Sequence, residues 1–149
     1  PPAACAPPPR VGPPALLRGA WAHGQAVSGA LGVVRQPPAR LRPVPHLGVR
    51  ARPFSYAIHS MAMPAVDVAV RLSGPDGELW EWSAPDGGGA DEVVSGSALD
   101  FCLVVTQRRH VANTRLSVVG DAASEWIAIA QTFAGAPGTG SRAGEFTDQ

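Results

Sequence analysis

From Val66 to Ser83 the hydrophobic period of this chain is two, and that stretch limits what the rest can fold into. Val66, Val68, Val70 and Leu72 alternate with Asp67, Ala69, Arg71 and Ser73, the pattern of a strand with one buried face. Ser73-Gly-Pro-Asp-Gly-Glu78 then reads as a hairpin turn. Pro75 presets φ at the first central position, and Gly77 can take the left-handed conformation that a bulged loop requires. The return strand, Glu78–Ser83, places Trp80 and Trp82 on one face. A hairpin set among helical patterns predicts an α+β domain.

The helical patterns lie on both sides. Leu17, Ala20, Trp21, Gly24, Val27 and Leu31 follow helical spacing over about 15–31, with Gly32 placed as a stop. Ahead of it, Pro1–Pro14 has seven prolines and reads as an extended arm, because proline lacks the amide donor and fixes φ. A Pro/Arg loop at 35–45 follows. His46–Ile58 restores helical spacing through Leu47, Ala51, Phe54 and Ile58, with Pro53 expected to kink or split it.

Beyond the hairpin come a Gly-rich loop and a short Val93-Val94 strand. Ser97 with Asp100 resembles a capping box that opens a helix through His110, with Phe101, Val104, Val105 and Arg108 on one side. Arg115–Val119 alternates again. Asp121 is expected to cap a last helix to Ala134, with Ala122, Trp126, Ile129, Ala130 and Phe133 inward and Gly135 as its stop. The expected division is an arm at 1–14, a helix at 15–34, a linker at 35–43, an α+β domain at 44–135 and a tail at 136–149.

Charge excludes some partners. Twelve arginines, no lysine and 12 acidic residues give a net charge of zero, so there is no basic field for nucleic acid or an anionic membrane surface. No run approaches the roughly 18 apolar residues of a membrane span. Cys5 and Cys102 make no CxxC and no disulfide framework, and Pro1–Pro14 lacks the basic start and apolar stretch of a signal peptide. The expected compartment is the cytoplasm.

Few residues suggest chemistry. His23 sits at the edge of the first helix's apolar face, with no other His, Cys, Asp or Glu one helical turn away. Such a histidine more often satisfies a carbonyl than ligates a metal. His46, His59 and His110 make no HxxxH or HxH spacing. Thr106-Gln-Arg-Arg-His110 gathers cations at a helix end. Its plainer reading is interaction with the helix dipole; its functional reading is an arginine that holds a carboxylate. Cys102, in an apolar run, reads as an inert core thiol, and Asp100 as a helix-start residue rather than a base. Trp80 and Trp82 read as sheet cover, although such pairs also line ligand pockets.

Four motifs occur in one order: Trp21-Ala-His-Gly-Gln25, His46-Leu-Gly-Val-Arg-Ala-Arg52, Gly74-Pro-Asp-Gly-Glu-Leu-Trp80 and Ala98-Leu-Asp-Phe-Cys-Leu-Val-Val-Thr-Gln-Arg-Arg-His110. Together, over about residues 11–140, they resemble an uncharacterised actinobacterial metal-binding family of the DinB-like, mycothiol-dependent maleylpyruvate isomerase superfamily. The resemblance implies an N-terminal four-helix bundle that binds a divalent metal, zinc or similar, and a C-terminal α+β domain that closes over it. This chain resembles the last bundle helix plus the C-terminal domain. That helix usually reads Glu-x-x-x-His-x-x-Asp, which sets a carboxylate and an imidazole on one face. His23 matches the histidine, but Gly19 and Ala26 stand at the acidic places, so the implied metal site is degenerate. The resemblance also implies that Arg108 faces the active cleft.

Two functions follow from this resemblance. One is the C-terminal portion of a metal- and mycothiol-dependent isomerase or transferase, not catalytic as this chain stands, acting on a small molecule. The alternative is a stand-alone, non-catalytic α+β domain that binds a ligand or partner. The unpartnered stripe of the 15–31 helix would suit pairing with a second copy of the chain.

Overall fold

The computed structural model describes residues 41–82, 91–133, 135–138 and 142–144; the expected arm and 15–31 helix lie outside them. Helices α1 (Pro43–Arg50) and α2 (Arg52–Ile58) precede strands β1 (Ala69–Ser73), β2 (Leu79–Trp82) and β3 (Val93–Ser97). Helix α3 (Ala98–Val105), a 3-10 turn (Val111–Asn113), strand β4 (Ser117–Val119) and helix α4 (Asp121–Ile129) follow. The sheet order is β2-β1-β3-β4. β1 pairs antiparallel with β2 and parallel with β3, and β3 pairs antiparallel with β4. This is the expected α+β architecture with its antiparallel hairpin.

The hairpin forms as its sequence dictates. Gly77 takes φ +79 and donates to the Gly74 carbonyl at 3.1 Å, while Gly74 N–H donates to Glu78 at 2.7 Å. Trp80 stands opposite Leu72 and Trp82 opposite Val70. These four, with Val94 opposite Val70, line the covered face of the sheet. On the other face Arg71 and Glu81 pair at 2.9 Å, both half-exposed, a contact worth at most about 1 kcal/mol. Helices therefore cover one face, with α1 packed on α3 and α2 on α4. The α1–α3 crossing is close because position 48 is glycine. A Cβ there would stand 3.0 Å from Val105 and 3.1 Å from Phe101.

Several expectations need correction. The 46–58 segment is split, as Pro53 predicts, but at Ala51: it forms two helices, each with proline in its first turn, where a missing N–H costs nothing. The first begins at Pro43, and the break resets the phase. The inward residues are therefore Val44, Pro45, Gly48, Arg52, Ser55 and Tyr56, whereas Phe54 is exposed. The strand begun at Val93 extends through Ser97 by parallel pairing with β1. Ser97 is the N-cap of α3, and its Oγ accepts from Leu99 N–H. The Asp100 carboxylate accepts instead from Arg115 N–H. Gly120, not Asp121, holds the N-cap position of α4, and the capping acceptor comes from another element: Glu92 Oε2 accepts from Ala123 N–H at 2.8 Å.

Helix α4 stops at Ile129 rather than Ala134. After Ala130 the chain runs out to make tertiary bonds, with Thr132 N–H donating to the Val105 carbonyl and Gln131 N–H to Ser55 Oγ. Phe133 thus falls beyond the helix and is only partly buried. Trp126 is buried as expected, edge-on to Phe101 at 6.1 Å.

Trp126→Ala should destabilise the protein by about 3–5 kcal/mol, and Phe133→Ala by less than about 1.5 kcal/mol. Urea unfolding checks both, and equal costs would refute the early end of α4. Glu92→Ala should cost about 1 kcal/mol through the lost cap.

Candidate functional site at the ends of the helices

Helix α3 ends in a tight reversal. Gln107 adopts φ +57, Gln107 N–H donates to Val104 and Arg108 N–H donates to Leu103, each at 2.8 Å. This is a Schellman ending with glutamine in the left-handed position that glycine usually fills, so α3 does not reach His110 as expected. The unfavourable backbone is held by side-chain bonds. Gln107 Nε2 donates to Gln131 Oε1 at 3.3 Å. Gln131, fully buried, also accepts from Gly138 N–H at 3.1 Å and donates to the carbonyls of Phe133 and Ala136. All four hydrogen-bonding positions of its amide are used.

Arg108 follows this fixed corner. Its side chain is partly buried, and Nε is a buried donor with no hydrogen-bond partner among the described residues. A donor left in this way normally costs about 1–3 kcal/mol, so a fixed arginine with a spare donor fits the task of gripping an acceptor from elsewhere.

A second group of orphaned donors lies between α2 and α4. Arg52 Nη1 donates to the Val66 carbonyl at 2.8 Å, while its Nε and Nη2, Tyr56 Oη and Trp126 Nε1 are buried without partners among the described residues. The guanidinium carbon is 5.9 Å from both the Tyr56 and the Trp126 ring centres. Burial pushes the Tyr56 phenol up, and the nearby Glu125 carboxylate pushes it further, against the opposing effect of Arg52.

The remaining sequence candidates separate. His23 lies outside the described residues. His46 Nδ1 accepts from Trp82 Nε1 at 3.1 Å, and His110 Nδ1 accepts from Ala112 N–H at the start of the 3-10 turn. His59 Nδ1 lies 2.9 Å from the Ser55 carbonyl. Cys102 is fully buried among apolar side chains and burial raises its thiol pKa, so it is a core residue. No group of three His, Cys, Asp or Glu residues that could hold a metal occurs among the described residues. Of the residues described above, the resemblance and the charge run point to Arg108, whereas Arg52, Gln107 and Gln131 carry no local sign of a site. The available signal for Arg52 was its helical phase with Ser55 and Tyr56, once the helix is started at a proline.

Two outcomes test this geometry. Gln131→Met should cost about 2–3 kcal/mol, because it strips partners from several buried groups at once; an unchanged urea midpoint would show that the network is dispensable. Tyr56 is the single tyrosine of the chain, so phenolate absorbance reports it alone. Its midpoint should lie above 10. Because the folded-state pKa is raised, Tyr56 contributes stability that is complete below the unfolded value near 10 and is lost as pH rises through the folded value. Tyr56→Phe should remove that alkaline component.

Among known proteins, two uncharacterised proteins of Mycobacterium tuberculosis, from strains CDC 1551 / Oshkosh and ATCC 25618 / H37Rv, are each 45% identical to this chain over 126 residues. The match covers 85% of this chain and 48% of each relative, so the chain spans about half the length of the curated relatives it matches. No protein-family model matches, and no solved structure matches. Among the described residues no helix is long and apolar enough to cross a membrane.

Proposed function

We propose that this chain is the C-terminal α+β portion of a DinB-like, mycothiol-dependent isomerase or transferase-type protein of the cytoplasm. Its part is to hold an anionic group of a small-molecule substrate through Arg108. The observation that carries this reading is the orphaned Nε of Arg108 at a helix end held rigid by Gln107 and Gln131. The α+β fold with its hairpin, and actinobacterial relatives about twice as long as the matched stretch, support it. The described residues do not fit a divalent metal: the ring Nδ1 atoms of His46 and His110 are occupied in structural hydrogen bonds, and no three ligating side chains come together. In this reading, metal and thiol chemistry belong to bundle helices of the kind that the His23 segment resembles.

A second reading, a stand-alone ligand-binding domain, is favoured by the Arg52 group, because all of its donors belong to the α+β domain itself.

Zinc titrated calorimetrically into the longer mycobacterial relative should show a tight one-to-one site, and into this chain a site of about micromolar affinity or weaker. A relative with no tight site would overturn the superfamily reading. Arg108→Met should leave stability unchanged or raise it by up to about 1 kcal/mol, as expected where a group is kept for binding; a loss above about 1 kcal/mol would make Arg108 structural.

A further inference from the structure

We propose that the seam between α2 and α4 is a binding site for a carboxylate, gripped by Arg52 with Tyr56 and Trp126 as flanking donors. The inference is independent of the superfamily reading and of Arg108.

It starts from which edge of the guanidinium is free. Nη1 is anchored on the Val66 carbonyl, which fixes the plane of the group. Nε and Nη2, both unpartnered, form the side-on fork whose two parallel N–H bonds match the two oxygens of a carboxylate. Arg52 is 9% exposed, and Tyr56 and Trp126 are 1% exposed each. The indole N–H and the phenol hydroxyl are therefore buried donors on the two rings beside the guanidinium, without a bonded partner among the described residues, and Glu125 lies near the phenol. Buried donors of Arg52 and Trp126 that find no acceptor among the described residues form a cationic, hydrogen-bonding cluster, which an apolar core has no reason to keep.

Charge selects the ligand. The group contains one guanidinium, and Glu125 on α4 stands close enough to Tyr56 to raise its pKa. One positive charge beside one negative suits a monoanion better than a dianionic phosphate. The two aromatic rings beside the guanidinium suit an aromatic acid. The group borders the connection from α2 to β1, where Ser60 takes φ +54 and Met61, Met63 and Val66 are exposed. Val66 is the same residue whose carbonyl anchors Arg52.

The test is a titration of the full chain, followed by the Arg52 Nε–H and Trp126 indole N–H resonances, the latter identified by its loss in Trp126→Phe. Benzoate should move both resonances together and saturably, and should raise the phenolate midpoint of Tyr56. Inorganic phosphate at equal ionic strength should move neither. Arg52→Met should weaken benzoate binding at least about tenfold; Arg52→Lys, which keeps the charge but lacks the fork, should also weaken it and guards against misfolding of the first variant. Glu125→Gln should tighten binding.

Three results would overturn the proposal. Resonances that stay still with benzoate while showing cross-peaks to a long-lived water would make this a hydrated structural cluster. A larger response to phosphate than to benzoate would exclude the carboxylate. If Glu125→Gln alone shifts Arg52 Nε–H and abolishes any benzoate response, Glu125 is itself the occupant.

Discussion

Two helices of this domain end inside it, and their exposed carbonyls set the conditions for everything around them. A helix terminus leaves its last carbonyls without intrahelical partners, and burial makes each unpaired group costly. At α3 the debt is met by the Schellman reversal at Gln107 and by Thr132, whose N–H and hydroxyl both reach the Val105 carbonyl. At α4 the chain leaves helical geometry at Ala130, whose carbonyl accepts from Gln107 Nε2 at 3.5 Å, and Ser55 Oγ on α2 accepts from Gln131 N–H at 3.0 Å and donates to the Gln131 carbonyl at 3.2 Å. The stretch after α4 thereby closes the ends of two helices and joins three of the four. The position of α2 against α4, and so of the Arg52 group, depends on that stretch.

What could be read from the sequence is what local physics decides. The hairpin needed only a period of two and a Gly-Pro-Asp-Gly turn, and it forms, although its first strand begins at Ala69 and leaves Val66 exposed. Ser97 as an N-cap and Trp126 as a core anchor are equally local. The inward face of α1 and α2 was hidden because a helical period is only as good as its starting point, and a break at Ala51 shifts the phase of every later residue. β3 was read too short because Ser95-Gly-Ser97 has little strand propensity; pairing with Arg71–Ser73 holds it in the sheet. Both helix ends were overextended for one reason. Nothing in the local pattern reveals that the Gln107 side chain will find Gln131, or that the Ser55 hydroxyl will take the Gln131 N–H.

The same division applies to the site. The resemblance and the run of charge at 106–110 single out Arg108 as a candidate. Arg52 is not singled out, since in a chain with twelve arginines and no lysine an arginine beside a proline carries little information. Only tertiary packing, which turns Arg52 inward with Tyr56 and against Trp126, separates it from the others.

The contrast between polar groups in this core is the strongest guide to their purpose. Gln131 is wholly buried and uses each of its hydrogen-bonding positions within the domain. Ser55 and Thr106 are likewise buried and bonded to backbone carbonyls. A core that satisfies glutamine, serine and threonine so fully, yet leaves donors of Arg52, Tyr56, Trp126 and Arg108 without partners among the described residues, is not merely short of acceptors. Each orphan donor forgoes about 1–3 kcal/mol, an appreciable fraction of the 5–15 kcal/mol that holds a domain of this kind together. The open donors belong to two arginines and the rings beside one of them. Guanidinium is the side chain best shaped to receive an oxyanion from outside, so the stability withheld at these two places is available as binding energy when one arrives.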